Sequence, residues 1–155
     1  MAESTVSLRI FGDDLEPEEV SRLLGCTPDS SYRNGDFISP ARSEHKRKFG
    51  MWSIKATRAE SEAYDSQIQQ VLSRVSQDQT VWKLLRARFK IDLFCGFFMD
   101  TKNQGFCLSV ASLEALARLG IEPGFDIYAP TPEEEADYYA KQAKNDALYL
   151  PNEGP

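Results

Sequence analysis

One short segment carries the side chains best suited to binding a small molecule. Tyr32, Arg33 and Asp36 surround an Asn-Gly turn, and Trp52 lies in the next predicted strand. Aromatic rings can form the walls of a pocket, and an arginine and an aspartate can orient a polar ligand at its mouth. The same pattern fits a turn that tucks Tyr32 or Trp52 over a sheet edge, with both charged side chains in solvent. The sequence therefore supports two interpretations, a ligand groove beside Trp52 and a structural turn.

The residue types that commonly carry catalysis are few and scattered. The chain has one histidine, His45, in a basic loop, and three cysteines, Cys26, Cys95 and Cys107. A cysteine nucleophile needs a neighbouring base, and no motif places His45 beside a thiol. Cys95 lies in an apolar run, where burial would raise its pKa. Metal-ligand spacing and a glycine-rich phosphate loop are both missing, so the sequence predicts no catalytic residue, no metal and no cofactor.

The charge of the chain is unevenly distributed around a net value of −6. Residues 33–58 contain seven basic and two acidic side chains, whereas residues 131–155 contain two basic and six acidic ones. An acidic chain is repelled by phosphates, which argues against nucleic-acid binding. No apolar run approaches the roughly 20 residues that span a bilayer, no secretory signal is visible, and an odd number of cysteines is a poor disulfide framework. We expect a cytoplasmic protein whose acidic end attracts a basic partner.

Each half of the chain is predicted to form a strand, a helix and a strand. The strands show alternating hydrophobicity and each helix ends at a glycine. The predicted elements are strand 7–12, helix 17–25, strand 51–57, strand 90–98, helix 109–120 and strand 125–129. Between the halves, apolar spacing predicts a long helix from Ala59 to Gln77 and a shorter one capped by Thr80. Residues 106–108 are predicted to form a short returning strand.

These elements predict a two-layer α+β fold. We expect a ferredoxin-like pseudo-repeat, βαβ–α–βαβ, in which a mixed sheet carries helices mainly on one face. Residues 1–130 would form this single domain. Residues 131–155 would form an acidic C-terminal tail that is partly helical or mobile, with Thr131 as a helix cap and Glu133 to Glu135 in the first turn.

The ordered motifs of the chain resemble those of a known family. The motifs are LRIFGDDLEPEEVSRLLGCTPD, YRNGD, MWSIKA, IDLFCGFF and LEALARLGI with FDIY, and they resemble the bacterial domain-of-unknown-function family 4279. The resemblance covers Leu8 to Tyr128. It implies a small, soluble, bacterial α+β protein and transfers no activity. The positions that match the family pattern are Gly25, Pro28, Gly35, Asp36, Trp52, Asp126 and Tyr128.

The sequence favours a non-enzymatic protein-interaction module, and an immunity-type protein that neutralises a basic toxin is one concrete form. Tyr138 and Tyr139 in the acidic tail are the predicted contact residues, because tyrosine is enriched at binding hot spots. The alternative is a small-ligand-binding protein or an enzyme that uses the groove beside Trp52. A third interpretation is self-association through Phe94 and Phe98, which make strand 90–98 apolar on both faces.

Overall fold

The computed structural model describes residues 2–39 and 45–148. Within these residues, six strands form one mixed sheet, and the chain also forms five helices. The strands are β1 (Glu3–Gly12), β2 (Ser30–Tyr32), β3 (Gly50–Lys55), β4 (Ala59–Glu60), β5 (Lys90–Phe98) and β6 (Glu122–Tyr128). The helices are α1 (Pro17–Leu24), α2 (Tyr64–Ser73), α3 (Gln79–Arg88), α4 (Val110–Leu119) and α5 (Pro132–Leu148).

Strand β1 lies at the centre of the sheet. The strand order is β2-β3-β1-β5-β6, and β4 pairs with the start of β1. Strand β1 runs antiparallel to both β3 and β5, whereas β5 and β6 are parallel and are joined by α4. The predicted α+β class with a mixed sheet is confirmed.

The predicted ferredoxin-like pseudo-repeat is not confirmed, because the two halves are built differently. Strand β3 is antiparallel to both β1 and β2, so β2 runs in the same direction as β1. The helix α1 therefore crosses over from β1 to β2, and β3 then folds back between them. In the second half, α4 connects two strands that are direct neighbours. The strand 51–57 that appeared to complete the first strand–helix–strand unit is instead this returning strand.

The predicted long helix from Ala59 to Gln77 is wrong at both ends. Ala59 pairs with Ser4 of β1 as part of β4, and Ser61 has a positive φ of 103°, which interrupts the chain before α2 begins at Tyr64. The next helix is capped by Asp78, whose carboxylate accepts a hydrogen bond from the backbone N–H of Thr80. Residues 106–108 form no strand.

Alternation along the strands creates two faces of different character. The helix-covered face presents Val6, Leu8 and Ile10 of β1 together with Leu93 and Cys95 of β5, all of them buried. Helices α1, α2 and α4 contact the sheet, and the buried side chains of the helices join the same core. Burying such side chains stabilises the fold by roughly 1.5–3 kcal/mol each. We call the opposite side the open face, because no described helix packs across its centre.

Candidate functional site

Tyr32 and Trp52 lie on opposite sides of the sheet. In the pairing of β2 with β3, Tyr32 is opposite Met51 and Ser31 is opposite Trp52. Trp52 therefore points into the helix-covered core, where it is 0% exposed and its indole N–H donates a hydrogen bond of 3.0 Å to the hydroxyl of Ser21. The structure does not bring Tyr32 and Trp52 together as two walls of one groove. Tyr32 lies on the open face.

Arg33 and Asp36 hold the predicted turn. The backbone N–H of Arg33 donates to the Asp36 carboxylate at 2.8 Å, and Gly35 has the left-handed φ of 88° that the turn requires. The guanidinium of Arg33 also donates to Glu16, at 2.7 Å, and to Glu18 at the start of α1. Hydrogen bonds to these two carboxylates raise the pKa of Arg33. The polar side chains that were predicted to fix a ligand thus bind the protein's own backbone and helix.

The centre of the open face is organised around Arg9. Its guanidinium donates two hydrogen bonds to Asp92 on the neighbouring strand, at 2.9 and 2.7 Å. The hydrogen bond to Asp92 is the largest cause of the raised pKa of Arg9. The same guanidinium lies 4.4 Å from the ring centre of Phe94 and 5.2 Å from that of Phe11. Such cation–π contacts hold the arginine in one position.

Phe11, Tyr32 and Phe49 form an aromatic cluster at one end of the open face. The ring of Phe49 lies 5.7 Å from Phe11 and 6.2 Å from Tyr32, and the guanidinium of Arg47 lies 4.1 Å from the centre of the Tyr32 ring. The Lys46 ammonium likewise lies 5.3 Å from the centre of the Phe37 ring, so two residues of the basic run 46–48 cover aromatic side chains. At the other end of the face, Phe98 stacks on Tyr128 with ring centres 4.6 Å apart.

Helix α5 lies beside the end of the open face that contains Phe98 and Tyr128. Its start is a capping box, in which the Thr131 hydroxyl accepts from the Glu134 N–H at 3.2 Å and the Glu134 carboxylate accepts from the Thr131 N–H at 2.8 Å. The predicted cap is therefore confirmed. Tyr138 lines a cavity of about 380 Å³ together with Arg58 and Phe98, whereas Tyr139 is 55% exposed. Tyr149 lies outside the described residues.

A cavity of about 620 Å³ lies between α2 and α4, and sequence reasoning missed it. At its rim the Asp65 carboxylate accepts hydrogen bonds from the hydroxyls of Ser112, at 2.6 Å, and Ser109, at 3.0 Å. These bonds lower the pKa of Asp65, so the carboxylate is a weak base. Ser109 is the N-cap of α4, and the cluster joins the starts of α2 and α4.

The cysteines are all free thiols. Cys95 is buried, and desolvation raises its pKa to about 12, as the sequence predicted in direction. Cys26 is partly buried and Cys107 is exposed.

Within residues 2–39 and 45–148, no group of three His, Cys, Asp or Glu side chains is close enough to hold a metal ion. None of the helices described in that part of the chain is sufficiently long and apolar to cross a membrane.

The family model of the domain of unknown function (DUF4279) matches residues 2–130. The chain belongs to this family, as its motifs predicted. No curated protein and no solved structure matches the chain.

Proposed function

We propose that the chain is a non-enzymatic protein-interaction module that binds a basic partner through α5. In its most concrete form it is a cytoplasmic, immunity-type protein of a bacterium, which neutralises a basic toxin by covering it. Tyr139 would supply a contact at the side of the binding surface, and Tyr138 would anchor the helix to the sheet. The proposal requires no catalytic group.

The observation that carries the proposal is the exposure of α5. This helix has 17 residues, and none of them is buried. Isolated helices of about this length are only marginally stable in water, and most helices in proteins are stabilised by packing an apolar face. A helix that is formed and yet has no fully buried residue leaves most of its surface free for a partner to cover.

The side of α5 that faces away from the sheet has the character of a contact surface. Ala136, Ala140, Ala143 and Ala147 are all exposed and recur at intervals of three and four residues, so they share one face of the helix. This face is opposite to Tyr138. Tyr139 flanks the alanines, and tyrosine is enriched at binding hot spots. We call the four alanines and Tyr139 the α5 outer face.

Charge indicates the kind of partner. Between residues 132 and 148, α5 carries five acidic and two basic side chains. An acidic surface of this kind steers and aligns a basic partner, and its contribution weakens as salt is added. Small side chains at the centre allow close approach, and the surrounding carboxylates select for lysine and arginine.

A capture experiment with the full-length chain tests the proposal. Tagged wild-type protein and two variants, Ala140→Arg and Ala87→Arg, are incubated with lysate of the source cells, and bound proteins are identified by mass spectrometry. Ala87 is an exposed alanine of helix α3, so its substitution matches the chemistry at a distant site. We expect the wild type and Ala87→Arg to capture the same basic protein, and Ala140→Arg to lose it. Equal capture by all three would contradict the proposal.

The immunity-type form has its own test. The chain is co-expressed with the products of the genes that adjoin its own. The immunity-type form is supported if a neighbouring gene product arrests growth when it is expressed alone. Co-expression of the wild-type chain should then restore growth, and co-expression of Ala140→Arg should not. If no neighbouring product is toxic, the immunity-type form is wrong, and the capture experiment still decides whether α5 binds a partner.

A further inference from the structure

A trough on the open face, on the side away from α5, has the features of a ligand site. It encloses about 340 Å³ and lies over β2, β3 and β1. Its volume is within the range of about 300–1,000 Å³ that is common for small-molecule pockets. Tyr32 lines it, whereas Trp52, Arg33 and Asp36 do not, so the trough is not the groove beside Trp52 that the sequence suggested.

The floor of the trough is made of polar groups that are direct neighbours in the sheet. Ser7 is opposite Lys55, and Ser53 is opposite both Ser30 and Arg9. Ser53 is only 3% exposed. Among the described residues, the hydroxyls of Ser7, Ser30 and Ser53 have no hydrogen-bond partner. Within the described part of the chain no buried side-chain polar atom lacks a partner, so these hydroxyls are open to the trough and are available to donate hydrogen bonds to an occupant.

Two cationic residues, Arg9 and Lys55, line the same trough. The Lys55 ammonium makes no ion pair within hydrogen-bonding distance among the described residues, although its charge attracts the Asp29 carboxylate. The nearby Asp29 carboxylate is held by two hydrogen bonds from Arg74, at 2.9 and 3.0 Å, and by the backbone N–H of Lys55 at 2.7 Å. Arg9 is held in place by Asp92 but uses only two of its five N–H donors there. The trough therefore offers an ammonium, a fixed guanidinium and three hydroxyls to one occupant.

The walls of the trough are aromatic and apolar. Phe94, Phe11 and Tyr32 surround the polar floor, together with Met51. The rings are held by their contacts with Arg9, Phe49 and Arg47, so the walls are organised before a ligand arrives. Fixed rings around a cationic floor fit a flat apolar group that bears a negative charge.

We propose that the trough binds a small organic oxyanion, a carboxylate or phosphate carried on a flat apolar group. The oxyanion pairs with Lys55 and accepts hydrogen bonds from the serine hydroxyls and Arg9, while the flat group lies against Phe94 and Tyr32. The site is independent of α5, so the function proposed for that helix can fail without affecting it.

The test is a titration of the full-length chain followed by the amide signals of its backbone in NMR spectra. The probes are benzoate, phenyl phosphate, inorganic phosphate and the neutral benzamide, each at millimolar concentration. We expect benzoate or phenyl phosphate to shift the signals of Ser7, Ser53 and Lys55, and the tighter of the two identifies the charged group. Inorganic phosphate lacks the ring and should bind much more weakly, and benzamide lacks the charge and should shift nothing.

Substitutions in the trough and at a distant control position test where the anion binds. Lys55→Met keeps the apolar stem and removes the charge, and we expect it to weaken the tighter anion at least about tenfold, because a charge-assisted hydrogen bond is worth that factor or more. Lys83→Met, on helix α3, is the matched control and should bind as the wild type does. Ser53→Ala should weaken binding by a smaller factor. If neither anion shifts these signals, if benzamide binds as well, or if Lys83→Met weakens binding as much as Lys55→Met, the proposal is wrong.

Discussion

Arg9 and Asp92 stand directly opposite each other on the two central strands of the sheet and are joined by two hydrogen bonds. They are 83 positions apart in the sequence. The pair lies on the open face, next to Phe94 and at the edge of the trough. It therefore ties the N-terminal half of the chain to the C-terminal half at the place where the proposed ligand binds.

Replacing Asp92 by asparagine should destabilise the fold modestly. The side chains of Arg9 and Asp92 are 33% and 24% exposed, so solvent screens part of their attraction. We expect a loss of about 1 kcal/mol, more than for a fully exposed pair because the geometry is bidentate. Urea denaturation measures the change, and Asp146→Asn on α5 is the control. Equal stability of the two variants would show that the pair contributes nothing.

Replacing Ser21 by alanine should lower the free energy of unfolding by more than the loss of one exposed hydroxyl does. The indole N–H of Trp52 would lose its acceptor inside the core, and an unpaired buried donor costs about 1–3 kcal/mol. Ser73→Ala removes an exposed hydroxyl that bonds only within its own helix, and should change the free energy of unfolding by less than about 0.5 kcal/mol. Thermal and urea unfolding of the two variants give the comparison. A Ser21 variant as stable as the Ser73 variant is the contrary result.

The three thiols should differ widely in reactivity. The exposed Cys107 is open to iodoacetamide, whereas Cys95 is buried and its pKa of about 12 leaves almost no thiolate at mildly alkaline pH. Mass spectrometry of the native protein should find Cys107 modified and Cys95 intact, and both modified in denaturant. Labelling of Cys95 in the native state at a rate near that of Cys107 would contradict the packing of β5.

Acid should weaken the hydrogen bonds by which Asp65 of α2 is joined to Ser109 and Ser112 at the start of α4. Hydrogen bonds from Ser112 and Ser109 lower the folded-state pKa of Asp65 from its ordinary value of 3.8. A depressed folded-state pKa means that the stabilisation is present above 3.8 and is lost as the pH falls through the lower folded value. Asp65→Asn should therefore reduce stability at neutral pH, and its difference from the wild type should shrink in acid. Glu114→Gln on α4 is the control. A difference that persists unchanged in strong acid would rule out the carboxylate as its source.

Helix α5 should exchange its amide hydrogens faster than the centre of the sheet. None of its residues is fully buried, whereas β1 is paired on both sides over most of its length. Low burial permits local opening at little cost in free energy. Hydrogen exchange measured by mass spectrometry on the isolated chain should show little protection for α5 and strong protection for β1 and β5. Slow exchange throughout α5 would argue that it is already packed.

The elements that sequence reasoning placed well are those with a strong local signal. Alternation along β5 assigned Leu93 and Cys95 to one face and Phe94 to the other, as found. Gly25 and Gly120 end their helices in the left-handed conformation. In these cases the period of the pattern and the backbone freedom of glycine act within a few residues, so the sequence alone contains the information.

The features that sequence reasoning missed depend on contacts between distant segments. Strand β2 has only three residues, two of them serines, and exists because β3 offers it an edge. The separation of Tyr32 from Trp52 follows from the register of that same pair. A shift of one position would have placed both side chains on one face. A strand as short and polar as β2 has no hydrophobic pattern of its own to fix its register, which is therefore set by its contacts with β3.

The central place of β1 also affects how the chain is made. Strand β1 leaves the ribosome before its partner β5, which follows about 83 residues later. At a synthesis rate of about 5–20 residues per second, the nascent chain waits roughly 4 to 17 seconds for that partner. During this interval one edge of an apolar strand is unpaired. Until translation reaches β5, β1 can pair only with segments already made, such as β3, and its other edge is the kind of unpaired strand edge that promotes aggregation.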